Sequence, residues 1–185
     1  MSKKIFSNYH LDTYQTDRGF IYAQRRNVNS TAALCFKKEQ DGSYSFLIRY
    51  QPLPEIKLKD HNYTYKNLYP CCITGSLEIN ETPTDNVIKE VWEESGYTIT
   101  KENIKEVVKA TSSTQMNEVV FNFLIDLTNK TNEKPTNDGS FFEEISENKW
   151  ISESNLKDIL LKNSELYLSS LSTAYLLFLK HINKI

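Results

Sequence analysis

The pattern of hydrophobic and polar positions changes several times along the chain, and each change predicts a different kind of element. Short runs of aromatic and aliphatic residues, bounded by turn residues, are typical of β-strands. These strands are expected at 20–25, 31–38, 44–50, 68–74, 104–110, 118–127 and 145–151. Asp41 and Gly42 lie between two of them and predict a tight hairpin turn. We therefore expect a sheet that extends through most of the chain.

Three segments follow the helical period instead. The first, 83–95, begins after Thr82, a good N-cap residue, and Pro83 suits its first position. It ends before Gly96, which can adopt the left-handed backbone that closes many helices. The other two helices are expected at 153–162 and 165–182. The last helix has one apolar face, which predicts packing against a core and consists of Leu168, Leu171, Tyr175, Phe178 and Ile182.

The composition favours one folded domain that does not bind a highly charged macromolecule or surface. Of the 185 residues, 39% are hydrophobic, and 22 basic against 24 acidic residues give a net charge of −2. This balance argues against nucleic acid or an anionic membrane as a partner. The longest late apolar run, 174–179, is too short to span a bilayer. We expect a soluble, cytoplasmic domain over 1–185, with an N-terminal extension over 1–30, a C-terminal helix over 165–182 and three buried, reduced cysteines.

The 83–95 helix has an apolar arc and an acidic arc on a helical wheel. The apolar arc, expected to pack, consists of Val87, Ile88, Val91 and Trp92. The acidic arc, expected to be exposed, consists of Glu90, Glu93 and Glu94. No basic residue interrupts the acidic arc, so like charges lie close together and a cation is expected among them. Carboxylate oxygens are the ligands that Mg²⁺ prefers, and Mg²⁺ keeps positions for water and phosphate oxygens. The helix therefore predicts a metal–phosphate site.

A longer pattern surrounds this helix. Gly75 is followed after five residues by Glu81, and after seven more by 89–97, which reads KEVWEESGY. This resembles the Nudix box, which is Gly, five residues, Glu, seven residues, then Arg-Glu-apolar-any-Glu-Glu-any-Gly-apolar, with Lys89 in place of the arginine. A chance match to its glycines and glutamates is on the order of one in 10⁵. The resemblance implies an α/β (α+β) fold, a Nudix-like α/β/α sandwich with a mixed β-sheet and an N-terminal β extension.

The resemblance also implies a hydrolase in which metal-activated water cleaves a diphosphate that joins a nucleoside to another group. Glu90 and Glu94 carry over as the principal ligands, with Glu93 as a third or shared ligand and the carbonyl of Thr74 as a further one. Mg²⁺ is the expected cofactor, with Mn²⁺ as the alternative. Gly75, Glu81 and Lys89 carry over as supporting residues.

The lysine at 89 is the one departure from the box. Arginine offers a planar fork that can hold two carboxylates, whereas lysine offers one point charge on a flexible stem. We therefore expect Lys89 to hold Glu81 and Glu90 together, with looser orientation than an arginine would provide.

Features outside the box favour the branch of ADP-ribose and nucleoside-diphosphate-sugar pyrophosphatases. The chain resembles that branch in its N-terminal β region and in a strand that ends at 49–51, RYQ, before a long loop. Residues 112–118 lie where that branch has a substrate loop. Arg25, Arg26 and Arg49 are candidates for contact with the diphosphate, although surface arginines without a ligand are commoner.

The same branch can use a glutamate on a mobile loop before the final strand to activate water. The polar stretch 128–140 leads here to Glu143 and Glu144, which become candidate general bases. The alternative is that both simply flank the strand.

Three hypotheses on function follow. The leading one is a Mg²⁺-dependent pyrophosphatase acting on ADP-ribose or a nucleotide sugar. The alternatives are a housecleaning pyrophosphatase acting on nucleoside triphosphates, and a Nudix-fold module that senses a nucleotide without turnover. The expected partner is a small-molecule nucleoside diphosphate derivative, with no nucleic acid and no membrane, and a homodimer is left open.

Overall fold

The structure, a computed structural model, describes residues 1–52, 55–57, 62–64, 66–135, 145–162 and 165–185. Its strands run over Lys3–Ser7 (β1), Leu11–Gln15 (β2), Ile21–Arg25 (β3), Ser30–Lys38 (β4), Tyr44–Pro52 (β5), Ile56–Lys57 (β6), Asn62–Tyr63 (β7), Leu68–Cys71 (β8), Ile73–Ser76 (β9), Ile104–Ser113 (β10), Met116–Asp126 (β11) and Glu147–Ser152 (β12). Its α-helices run over Pro83–Ser95 (α1), Glu153–Leu161 (α2) and Ser169–His181 (α3), and a 3₁₀ turn spans Lys101–Asn103.

Ten of the described strands form one mixed sheet, and β6 and β7 form a separate pair. The main path through the sheet is β1-β2-β3-β11-β4-β5-β12, while β10, β9 and β8 pair with β11, β4 and β5. β11 runs parallel to β4, with Val120 opposite Ser30, and parallel to β3 through a single pairing of Met116 with Ala23. The neighbouring β4–β5, β4–β9 and β5–β12 pairs are antiparallel. The predicted mixed sheet is confirmed.

Strand β4 shows how the sequence builds a core on each face of the sheet. Residues 31–36 are all buried. Because successive side chains of a strand point to opposite faces, Ala32 and Leu34 join the core beneath α2 and α3, whereas Ala33 and Cys35 join the core beneath α1. A strand covered on both faces is expected to be apolar throughout rather than alternating. Helices therefore lie on both sides of the sheet, and the predicted sandwich is confirmed.

Helix α1 begins and ends at the predicted residues. Thr82 accepts a hydrogen bond from the backbone N–H of Asp85, and Gly96 takes the left-handed conformation with φ of 74°. The predicted strand at 68–74 is instead two short strands, β8 and β9, which pair with different partners. The C-terminal helix begins at Ser169 rather than at 165.

The apolar face predicted for the C-terminal helix is confirmed in its central part. Leu171 and Phe178 are fully buried, and Tyr175 is nearly so. Residues 1–30 contain β1, β2 and β3, an antiparallel series at one end of the sheet.

The three cysteines, Cys35, Cys71 and Cys72, are buried free thiols, as expected. Burial raises the pKa of the Cys71 thiol to about 12, so this thiol stays neutral. In the part of the chain that the structure describes, no helix is long and apolar enough to cross a membrane.

Candidate active site

The box residues are carried by β9, the loop after it and α1. Thr74 and Gly75 lie near the end of β9, opposite Ala32 and Thr31 of β4. A Cβ built on Gly75 would lie 2.2 Å from the carboxylate carbon of Glu90. Any larger residue here would have to push the Glu90 carboxylate out of this position. The glycine of the box therefore has a steric role, because it lets a carboxylate rest against the backbone of β9.

Glu90 is the centre of an acidic cluster, which it forms with Glu81 and Glu93 on this side of α1. Burial raises the pKa of its carboxyl to about 7, against an opposing effect of the Lys89 charge. The nearby carboxylates of Glu93 and Glu81 raise it further. In the absence of a cation this cluster is therefore electrostatically unfavourable.

A fully buried asparagine of α1 organises the cluster. Asn86 donates from Nδ2 to Glu81 Oε2 at 2.9 Å and to the Ser76 carbonyl at 3.1 Å, with a longer bond of 3.4 Å to Glu90 Oε1. Its Oδ1 accepts a hydrogen bond from the Thr31 hydroxyl. The sequence pattern did not single out Asn86. The available signal was its position one helical turn before Glu90, which places both side chains on one face.

Lys89 does not make the bridge that we expected of it. Its Nζ lies 3.8 Å from Glu78 Oε1, and both side chains are well exposed. Although partial burial lowers the pKa of Lys89, the surrounding carboxylates, Glu90 foremost, raise it more. Lys89 therefore acts on the cluster through its charge, while Asn86 makes the hydrogen bonds to Glu81 and Glu90. The expectation for Lys89 is corrected on this point.

Glu94 lies one turn further along α1 but is only 7% exposed. Its Oε2 lies 3.3 Å from Nε of Arg49, a β5 residue that is 3% exposed. The backbone carbonyl of Glu94 accepts hydrogen bonds from Asn148 Nδ2 at 2.6 Å and from Arg49 at 3.4 Å. The prediction that Glu94 belongs to an exposed face is wrong, because the helical phase that buries Val87 and Val91 also turns Glu94 toward the sheet.

Trp92 shows the same rotation of the buried face. We expected it to pack in the apolar arc, but 38% of its surface is exposed. The buried positions of α1 are instead Asn86, Val87, Val91, Glu94 and Ser95. Among these, the carboxylate of Glu94 is stabilised at its buried position by the opposite charge of the Arg49 guanidinium.

A cavity of about 490 Å³ opens beside Gly75. Arg25 lies in its wall, donating to Glu118 Oε1 at 3.1 Å and to the Ser76 hydroxyl. Glu118 is 6% exposed and also accepts a bond of 2.7 Å from Ser30. The volume is within the range of small-molecule sites. Residues 112, 116 and 118 line this cavity, so the predicted substrate loop borders it.

A second cavity of about 310 Å³ lies beside the Arg49–Glu94 pair. Asn148 and Trp150 of β12 also line it, as do Pro135 and Ser146. The candidate bases, Glu143 and Glu144, lie outside the described residues.

The family model named NUDIX domain matches residues 28–169. The chain belongs to the NUDIX domain family. Among solved structures it is similar to one described as "Crystal structure of ADP compounds hydrolase", with a TM-score of 0.60 and 11% sequence identity, covering 100% of this chain and 95% of that chain. At this identity the likeness shows the fold. A search of curated proteins finds no match. The predictions of a Nudix-family enzyme and of its sandwich fold are confirmed.

The Nudix site of this chain contains donors that fit a hard cation. Mg²⁺ prefers oxygen ligands, and such oxygens are offered by the backbone carbonyl of Thr74 and the carboxylates of Glu90 and Glu93. The Glu90 side chain occupies the space that the missing side chain of Gly75 leaves open. Within the described ranges, however, no group of three acidic, histidine or cysteine side chains is gathered for a metal ion. The structure therefore places Glu90 beside Gly75 and Glu81, but it ties Glu94 to Arg49.

The three candidate arginines of this Nudix chain have different surroundings. Arg25 lies at the large cavity, and Arg49 is buried against Glu94. Arg26 is exposed, and its guanidinium stacks on the ring of Tyr9 at 4.2 Å. Arg25 is therefore the arginine best placed for a substrate in the large cavity.

Proposed function

We propose that this Nudix protein is a Mg²⁺-dependent pyrophosphatase that cleaves the diphosphate of a nucleoside diphosphate linked to another moiety. The observation that carries the proposal is the box on its strand–loop–helix unit, with the Glu90 carboxylate resting on Gly75 beside a cavity of about 490 Å³. Gly75 and Arg25 both lie in the wall of this cavity, so we place the diphosphate there, close to the backbone against which Glu90 rests.

The proposed metal ligands are the carboxylates of Glu90 and Glu93 and the carbonyl of Thr74, with Glu94 as a further ligand. When bound, Mg²⁺ would polarise the phosphate and lower the pKa of a bound water. Glu81 supports Glu90 through their shared hydrogen-bond donor, Asn86. Mn²⁺ is the alternative ion.

Arg25 is the proposed phosphate-binding residue. Its guanidinium is held by Glu118 and Ser76, so its orientation is set before a substrate arrives. A planar guanidinium suits the paired oxygens of a phosphate group. Glu118 was not singled out from the sequence as a positioning residue, because its partners come from β3 and β4.

ADP-ribose or a nucleotide sugar is the proposed substrate. The description of the similar solved structure names ADP compounds for that protein, and the large cavity has room for the group on one side of a diphosphate. Glu143 and Glu144 remain the proposed general bases. We propose a single domain over 1–185, and a cytoplasmic location and a homodimer stay predictions.

The test is a panel of ADP-ribose, nucleotide sugars and nucleoside triphosphates, assayed with Mg²⁺, with Mn²⁺ and with EDTA. We expect two monophosphate products from the first two classes and no turnover in EDTA. Release of pyrophosphate from triphosphates alone would favour the housecleaning alternative. Tight nucleotide binding by calorimetry without product would favour the sensing module.

The general base is tested by Glu143→Gln and Glu144→Gln. If the base is one of them, that variant should lose about 10² to 10⁴ in turnover, the range of general base catalysis, with substrate affinity largely kept. If both variants keep turnover within a few-fold, the proposed base is wrong and another group activates the water.

A further inference from the structure

The acidic cluster needs a hydrogen-bond donor between Glu81 and Glu90, and the residue at the arginine position of the box does not supply it. Lys89 is directed to Glu78 at 3.8 Å, in an exposed pair. Exposed pairs of this length contribute little to orientation. A carboxylate that is to bind a metal must nevertheless be held in one position, because groups outside the ligands orient the ligands themselves.

Asn86 makes the contacts that such a donor requires. It is fully buried, so its rotamer is restricted by packing. Its amide nitrogen has two hydrogens, which are shared among Glu81 at 2.9 Å, the Ser76 carbonyl at 3.1 Å and Glu90 at 3.4 Å. Thr31 donates to its oxygen, which fixes the amide orientation. The donor is therefore anchored to β4 and β9 as well as to α1.

We propose that Asn86 is the positioning residue of this site and replaces, one turn earlier on α1, the bridging arginine that the box would have at position 89. The proposal rests on the proposed function in one respect, that Glu90 is a metal ligand. Asn86 holds Glu81 and Glu90 together without bringing a positive charge. A neutral donor adds no positive charge to that of Lys89, so the attraction of the cluster for a divalent cation is not weakened further.

The test is Mn²⁺ binding to the full chain without substrate, measured by electron paramagnetic resonance titration. Asn86→Ala should weaken Mn²⁺ affinity by about 10 to 100-fold, the usual cost of losing a group that orients a metal ligand. Lys89→Ala should not weaken the affinity by more than about threefold, because it removes only an exposed pair and a positive charge that opposes cation binding. In the Asn86→Ala background, Lys89→Arg should recover most of the lost affinity, because the guanidinium restores a donor to Glu81 and Glu90.

Two further variants separate positioning from folding. Asn103→Ala is the matched control, since Asn103 is a partly buried asparagine that donates to the Asp126 carbonyl at 2.9 Å, in a different part of the fold. It should lower the melting temperature but leave Mn²⁺ affinity unchanged. Thr31→Val, which only removes the hydroxyl that orients Asn86, should weaken Mn²⁺ binding by a smaller factor and serves if Asn86→Ala does not fold.

The inference is overturned if both Asn86→Ala and Thr31→Val bind Mn²⁺ within twofold of the parent, or if Lys89→Ala loses as much affinity as Asn86→Ala. Binding is measured without substrate, so a parent that binds Mn²⁺ but cleaves nothing in the substrate panel refutes the proposed function alone. A parent that binds no Mn²⁺ refutes both.

Discussion

Glu90 and Glu94 lie one turn apart on α1, yet their surroundings are opposite. Glu90 rests on a glycine backbone, accepts from a neutral amide and has a pKa raised by burial to about 7. Glu94 is more deeply buried and lies 3.3 Å from the guanidinium of Arg49. Two glutamates of one sequence motif therefore have different environments, because Glu90 lies against β9 and Glu94 lies against β5.

The two carboxylates should therefore contribute differently to stability and to metal binding. A buried pair with opposite charges depends on both partners, since the removal of one leaves the other charge buried and uncompensated. A cluster of like charges is relieved when one member is neutralised. Variants on each side of α1 can test this contrast.

The largest effect is expected for Arg49→Met. It leaves the Glu94 carboxylate buried without its guanidinium, so the free energy of unfolding should fall by about 3–5 kcal/mol in urea denaturation. The control is the double variant Arg49→Met/Glu94→Leu, which removes both charges and should regain most of the loss. A single variant as stable as the parent would contradict the assignment of a buried pair.

Glu90→Gln tests the other carboxylate of this comparison, the one that lies among like charges. Neutralising Glu90 removes like-charge repulsion, so the melting temperature should stay equal or rise, while Mn²⁺ affinity falls at least about tenfold because an amide is a poor ligand of hard ions. Glu94→Gln is the comparison, and it should lose stability as well as affinity. If Glu90→Gln unfolds as easily as Glu94→Gln, the two environments are not different.

Trp92→Ala tests the helical phase on which the contrast depends. Because 38% of the Trp92 surface is exposed, the substitution should lower the free energy of unfolding by about 2 kcal/mol. The loss for a fully buried ring is roughly 3–5 kcal/mol. Val91→Ala, at a fully buried position, is the control for packing on the same helix. A loss above about 3 kcal/mol for Trp92→Ala would indicate a helix rotated toward the predicted apolar arc.

The smallest effect on stability is expected for Lys89→Ala. Its exposed pair with Glu78 should contribute no more than about 0.5 kcal/mol to the free energy of unfolding. Chemical denaturation at low and high salt is the measurement, and the small difference should vanish at high salt. A loss above about 1 kcal/mol would show that Lys89 holds the cluster after all.

Local signals predicted the framework of the site well. Helix α1 has the predicted bounds because capping and helix termination depend on neighbouring residues, here Thr82, Pro83 and Gly96. The continuous apolar run of β4 predicted a strand, and its burial on both faces follows from the sandwich. The box pattern predicted the family, since its spacing is a property of the chain itself.

The sequence by itself therefore determined most of the elements and the family, whereas the close approach of Glu90 to Gly75 is visible only in the folded chain. Only the tertiary structure decided that Asn86 rather than Lys89 joins Glu81 to Glu90, and that Glu94 faces inward. The partners that decide these points come from far along the chain, Thr31 from β4 and Arg49 from β5, 55 and 45 positions from Asn86 and Glu94. A helical wheel ranks faces by the helix's own hydrophobicity, whereas a buried carboxylate or amide is stable only where another strand brings the matching charge or hydrogen bond.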